Sequence, residues 1–321
     1  MIKTKLILID GITGSGKSTT AQFLAGQLRL NGIKAKWYHE TEDSHPLAYE
    51  EDVEVFSSNQ ERDKFLKTIP KLWRKFSKDA EISDHVHIIE SHLLQDTVRI
   101  LFQNNLDETR ISTFVKEIED IIEPLNPALL YFKQMDVEHS IRKVWKRRGE
   151  DWKNWFVDSD IQTPFVKSSG IIGETGVIKL WAEYQNFTDK IFEGYGFKKL
   201  CIDNSEGNWT TYHQQMMKFL SLNLISETVD VNIDEKRILC GTYKEKEGDL
   251  SCSVKLLDEN LVCDLIWPDI RVLPDATRKN LFYLESFPIN IEFIENKDGS
   301  VESIHLSGSR EAFDGKRLIR V

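Results

Sequence analysis

The amino-acid sequence predicts an α/β fold, in which a five-stranded parallel sheet flanked by helices is followed by a small antiparallel β domain at the C-terminus. Three observations lead there. A continuous apolar run, Leu6-Ile7-Leu8-Ile9, opens into a glycine-rich loop and then an amphipathic helix. Strand-like and helix-like segments alternate from there to about residue 222, the pattern of parallel strands joined by right-handed crossovers. After residue 227 short strand-like runs come in quick succession, separated by turn signals. The expected division is 1–226 for the α/β domain and 229–321 for the β domain.

Leu6–Ile9 lacks polar alternation, which suits a central strand covered on both faces. Ser18–Leu30 follows as a helix that Asn31-Gly32 ends, and Ile33–His39 is the next strand. Residues 59–80 carry Phe65, Leu66, Ile69, Leu72, Trp73 and Phe76 at helical spacing, and Pro70 should bend or break that helix. A third strand, His85–Ile89, ends in Glu90-Ser91-His92. Helices are expected over Leu93–Phe102 and Arg110–Ile122, a fourth strand over Ala128–Phe132, and a basic helix over Val137–Arg148. Residues 149–175 show no clear period. Val177–Phe192 reads as an amphipathic helix, Phe197–Ile202 as the fifth strand and Trp209–Leu222 as a closing helix. In the β domain, strands are expected over Arg237–Tyr243, Leu250–Leu257, Leu261–Trp267, Ile289–Ile294 and Val301–Leu306, with Asn296–Gly299 as a hairpin turn.

The composition narrows the function classes. The 321 residues are 40% apolar and 29% charged, with a formal net charge of −10, as in an ordinary globular protein. That acidity argues against non-specific nucleic-acid binding, which needs a basic footprint. The four cysteines, Cys201, Cys240, Cys252 and Cys263, form no C-x-x-C pair and have no zinc-like histidine spacing, so free thiols are expected. No segment reads as a signal peptide or approaches the ~18 apolar residues of a membrane span. A cytoplasmic location is the resulting expectation.

The chemistry-bearing motif is Gly11-Ile12-Thr13-Gly14-Ser15-Gly16-Lys17-Ser18, a G-x-x-x-x-G-K-S phosphate loop (P-loop) between a strand and a helix. Gly11, Gly14 and Gly16 let successive backbone amides converge, and the positive end of the next helix adds to the field. Thr13 and Ser15 complete the loop. Lys17 is expected at the β and γ phosphates, Ser18 on Mg²⁺ and Thr19 at the α phosphate. ATP and Mg²⁺ are therefore the expected ligands. Leu306-Ser307-Gly308-Ser309 resembles a transporter-ATPase signature only in part and reads as a polar turn. Asn296-Lys297-Asp298 lacks the N-K-x-D spacing of a guanine-specifying loop.

Asp136-Val137-Glu138, Arg142 and Arg147-Arg148-Gly149-Glu150-Asp151 resemble the arginine-bearing lid of the thymidylate-kinase and nucleoside-kinase family. The resemblance covers roughly residues 4–222 and is most specific at the P-loop. It implies that Arg142, Arg147 and Arg148 bring positive charge to the phosphoryl group in transfer, a reaction that depends on such charge. As a solvated basic helix face they would do nothing of the kind. The resemblance also puts Glu40 where the family holds a carboxylate near the acceptor, as general base or as a positioning group. Glu90 falls where an acid can hold Mg²⁺ through water. The family more often has an arginine after that acid, whereas this chain has Ser91. Gln95 lies one turn on from Ser91, near enough for a substrate ring, and His39 and His92 lie at strand ends, where open α/β sheets bind ligands. Ile202–Trp209 resembles the family's adenine-side tail, or is an ordinary turn with Ser205 or Asn208 as a helix cap.

Two further groups have competing readings. Trp145, Trp152, Trp155 and Phe156 either close over a planar substrate or form local core. Lys71, Arg74 and Lys75 either bind an acceptor phosphate or form a solvated helix face. The expectation is thus an ATP-dependent kinase for a small hydroxyl- or phosphate-bearing acceptor, a nucleoside or nucleotide first. The alternative is an ATP-binding regulatory or assembly protein whose β domain binds a partner. A homodimer contact is a further use for that domain.

Overall fold

The computed structural model describes residues 3–50, 53–226, 231–275 and 278–321. The chain divides into two compact units, Met1–Glu40 with His45–Leu224, and Thr41–Ser44 with Ile225–Val321. The expected domain boundary, between 226 and 229, falls at residues 227–230, which lie outside the described residues.

In the first unit, β1 (Leu6–Gly11), β2 (Ala35–Tyr38), β3 (Val86–Glu90), β4 (Ala128–Lys133) and β5 (Lys198–Asp203) form one sheet in the order β2-β3-β1-β4-β5. Every neighbouring pair is parallel. The helices are α1 (Lys17–Leu30), α2 (Asn59–Ile82), α3 (Arg99–Gln103), α4 (Glu108–Ile122), α5 (Val137–Arg148), α6 (Glu150–Ile161), α7 (Pro164–Ser169), α8 (Gly173–Gly194) and α9 (Trp209–Leu220). The unbroken apolar run in β1 is explained by its two covered faces. Leu6 and Leu8 join a core with α2, α4 and α8, while Ile7 and Ile9 join a second core with α1 and α9. With the glycine-rich loop between β1 and α1, this is a parallel α/β fold of P-loop type.

Three segments differ from the sequence expectation. Helix α2 runs unbroken through Pro70. The face bearing Phe65, Ile69, Trp73 and Phe76 is buried against the sheet core, and that packing outweighs the roughly 3 kcal/mol cost of an internal proline. Residues 149–175 are largely helical, as α6, α7 and the start of α8. Their order comes from tertiary contacts: Trp152 stacks on Phe156 with centroids 4.9 Å apart, and Phe156 on Trp181 at 5.6 Å. The Trp181 indole also donates to buried Asp160 at 2.7 Å. Finally, His92–Val98 is a π-helix rather than the start of an α-helix. The Asp96 amide reaches back to the Ser91 carbonyl at 2.8 Å, and the amides of Leu94 and Gln95 are held by Asp10 at 3.3 and 3.2 Å. Tyr184 donates to the Leu94 carbonyl.

The second unit is a closed eight-stranded antiparallel barrel, a more specific architecture than the small β domain the sequence suggests. It comprises β6 (Gly241–Glu245), β7 (Ser251–Leu257), β8 (Asn260–Cys263), β9 (Ile270–Pro274), β10 (Leu281–Leu284), β11 (Ile289–Glu295), β12 (Val301–Gly308) and β13 (Arg317–Arg320). Sequential strands pair, and β13 closes on β6. Ile289, Ile291 and Phe293 alternate with more exposed neighbours along β11, so the interior is filled by side chains rather than left as a channel. The expected strand at 237–243 is replaced up to Leu239 by α10 (Ile233–Leu239), which Asn232 and Glu235 start with a capping box. The sequence reading also lacks β9, β10 and β13, all short strands of 4 to 5 residues.

Candidate active site

The loop after β1 is shaped by contacts that only glycine tolerates. Gly14 has φ +78° and Gly16 φ +95°, both in the left-handed region. A methyl group on Gly14 would collide with Val144 of α5, and one on Gly16 with the Trp209 ring of α9. The Asn204 side-chain amide donates to the Ser15 carbonyl at 2.7 Å and fixes the loop from the end of β5. Gly16 starts α1, a helix of 14 residues, so the loop runs straight into a helix N-terminus. Ser18 and Thr19 lie half-buried in its first turn. Ser15 Oγ is buried there without a hydrogen-bond partner.

Lys17 is buried and donates to the Ile12 carbonyl at 2.9 Å. Burial pulls its pKa down, while Glu40, Asp10 and Glu90 oppose that shift in this order. Glu90, the last residue of β3, is fully buried, with Oε1 3.5 Å from His39 Nε2. Burial, and then the charge of Glu40, push its pKa well above the usual carboxylate range. Neither Glu90 oxygen makes a full hydrogen bond, although the Ser18 hydroxyl and the Glu40 amide favour its charged form. Glu40 accepts from Gln95 Nε2 at 3.2 Å. Burial pushes Glu40 upward, but Lys17, His39, the Ser91 hydroxyl and Arg148 outweigh it and hold its pKa low. Arg148, half-buried at the end of α5, also feels Glu40, and its guanidinium lies 4.4 Å from the Trp152 ring centre.

The structure therefore brings Lys17, Ser18, His39, Glu40, Glu90, Gln95 and Arg148 into one cluster. It does not bring Arg142 there. That side chain is exposed and donates to Glu138 at 2.8 Å and Glu174 at 3.2 Å. Arg147 is exposed, and its charge acts on neighbouring Arg148. His92 acts on the loop after β2, since its Nε2 bonds the Leu47 carbonyl at 2.8 Å and its ring stacks on His45 at 4.1 Å. Trp145 and Phe156 are buried in local core, and Trp155 is 63% exposed. Arg74 pairs with Glu117 of α4.

Asp10 is a site residue that the sequence reading missed. It is buried, and burial raises its pKa to about 7 against the two amide hydrogen bonds it accepts. The signal was an acid inside an apolar strand, immediately before the first glycine of the loop. Val144 and Asn204 were not legible, because their role depends on α5 and β5 meeting the loop in space. Asn208 caps α9 through the Thr211 amide at 3.2 Å, and Ser205 accepts from the Met135 amide at 2.8 Å.

Among the described residues there is no group of three or more His, Cys, Asp or Glu side chains arranged to hold a metal ion by themselves. The residues nonetheless suit a phosphate-bound Mg²⁺, which needs one or two protein oxygens and takes the rest from water and phosphate. Ser18 and the unsatisfied oxygens of Glu90 would supply them. No described helix is long and apolar enough to cross a membrane.

No protein-family model matches the chain, and no curated protein matches it. Among solved structures, it is similar to thymidylate kinase from Candida albicans, at 15% identity over 70% of this chain and 97% of that chain, with a TM-score of 0.37. So distant a likeness assigns no substrate and adds nothing to the fold established by strand order and the glycine-rich loop.

Proposed function

We propose that the α/β unit is an ATP- and Mg²⁺-dependent kinase that transfers the γ-phosphoryl group to a small-molecule acceptor. The observation that carries this reading is the position of Lys17, at the base of a glycine-rich loop and within the field of Glu40, Asp10, Glu90 and Arg148. A nucleotide switch needs the loop. It does not need a carboxylate held ionised beside the lysine, which is what Glu40 supplies.

ATP would supply the phosphoryl group, and Mg²⁺ would neutralise phosphate charge. The loop amides and Lys17 would hold the phosphates, and Ser18 with Glu90 would hold the metal. Arg148 adds positive charge at the transferring group, while Glu40 orients the acceptor hydroxyl and takes its proton. Trp152 keeps the Arg148 guanidinium stacked and so limits its freedom.

The test is ADP release by the purified full-length protein against a broad panel of nucleosides and metabolites. An acceptor should stimulate release at least tenfold, and Lys17→Ala should abolish that stimulation. If no acceptor stimulates release while a protein partner responds to ATP, the kinase reading fails and the assembly-protein reading takes its place.

A further inference from the structure

The turn after β3 holds Gln95 by its backbone as well as by its side chain. Over His92–Val98 the wide π-helical spacing changes which amide meets which carbonyl. The Arg99 amide bonds the carbonyls of Asp96 and Leu94 and passes over that of Gln95. Arg99 meets the Gln95 carbonyl with its side chain instead, donating from Nε at 2.9 Å. On the other side of the same residue, the Gln95 amide is held by Asp10 at 3.2 Å. With its backbone fixed at both groups, Gln95 directs Nε2 to Glu40 at 3.2 Å.

Arg99 is itself immobilised. Its side chain is 13% exposed, and its planar guanidinium serves several acceptors at once. Nη1 and Nη2 grip Glu54 at 2.8 and 2.9 Å, and Nη1 also donates to Gln103 Oε1 at 2.7 Å. Asp160 Oδ1 of α6 lies 3.9 Å from Nη1. Gln103 and Asn104 in turn hold the Glu54 carbonyl, at 3.1 and 2.8 Å. An ion pair that only stabilised the fold would need the fork onto Glu54. The Nε bond is a separate contact, and it falls on the residue whose side chain reaches Glu40.

We infer that Arg99 is a positioning residue for phosphoryl transfer: through the Gln95 peptide it sets the hydrogen bond that orients Glu40, and Glu54 fixes Arg99 for that task. This rests on the kinase reading above and extends it to a residue that acts only through others. The effect belongs in the rate of transfer, since a displacement of about 1 Å at a reacting group can cost on the order of 100-fold.

Arg99→Lys separates the two parts of the contact, because it keeps a positive charge beside Glu54 and has no donor at the Nε position. The assay uses the full-length protein, Mg²⁺, γ-labelled ATP and the member of the nucleoside and metabolite panel that most stimulates ADP release. It is run well below the melting temperature of each variant, so that loss of folded protein does not enter. Arg99→Lys should lower kcat at least fivefold and leave the Kd of a non-hydrolysable ATP analogue within twofold of wild type. Gln95→Ala should also lower kcat, and adding Arg99→Lys to it should change kcat by less than twofold, since the path to Glu40 is already gone. Should Arg99→Lys fail to fold, Glu54→Gln takes its place: it loosens the fork and should lower kcat at least threefold, again by less than twofold in the Gln95→Ala background. A smaller loss of kcat, the same loss with and without Gln95, or a matching loss of analogue affinity would each overturn the inference and leave the kinase reading standing. If the wild-type chain labels no acceptor, the kinase reading itself fails and the inference falls with it.

Discussion

Asp10 is an acid in a strand of leucine and isoleucine, and the two amide bonds it accepts only partly offset its loss of water. Its pKa of about 7 in the folded chain compares with 3.8 when exposed. Between those values the folded state holds a proton that the unfolded state has released, so stability falls as pH rises through that window. Asp10→Asn should therefore raise the melting temperature at pH 8, by the equivalent of a few kcal/mol at most, and change it little at pH 4. An equal shift at both pH values would count against a charged, desolvated Asp10. At the loop itself, Gly14→Ala should cost about 1–3 kcal/mol, from left-handed strain together with the collision with Val144. It should also weaken binding of a non-hydrolysable ATP analogue, as titration calorimetry would measure.

At the scale of elements, α5 and the π-helical turn after β3 shape the site more than any single motif. Val144 seats α5 on Gly14, and Asp10 and Tyr184 hold the turn that carries Gln95 to Glu40. If that seating is real, Gly14→Ala and Val144→Ala should not be additive, and a double-mutant cycle on melting should show a coupling of at least ~0.5 kcal/mol. Additive effects would separate α5 from the loop. The elements legible in the sequence were the central strands, from their unbroken apolar runs, and α1, α4 and α8, from their helical period. The loop residues Gly11–Thr19 were legible for a different reason, since phosphate chemistry restricts which residue types can stand there. What escaped the sequence depends on long-range partners. The aromatic stack over α6 joins residues 152, 156 and 181, and the π-turn borrows its hydrogen bonds from Asp10 and Tyr184. Arg142 and Arg148 look alike in the string, yet Glu174, 32 residues further on, holds one of them at the surface.

For the whole molecule, the division into two units, each with a hydrophobic core of its own, implies more than one unfolding transition. A non-hydrolysable ATP analogue at 100 times its Kd should stabilise the transition of the α/β unit by about 2.7 kcal/mol and leave that of the barrel unmoved. Calorimetry with and without the analogue checks this. A single transition, or a ligand shift confined to the barrel, would contradict it. The central claim is that the cluster around Lys17 transfers phosphate rather than merely holding nucleotide. It is tested most directly by incubating the protein with γ-labelled ATP, Mg²⁺ and an acceptor panel and tracing the label. The account predicts that label enters a small-molecule acceptor with the wild-type chain and not with Lys17→Ala. Label found only in inorganic phosphate, at a rate no acceptor changes, would contradict it.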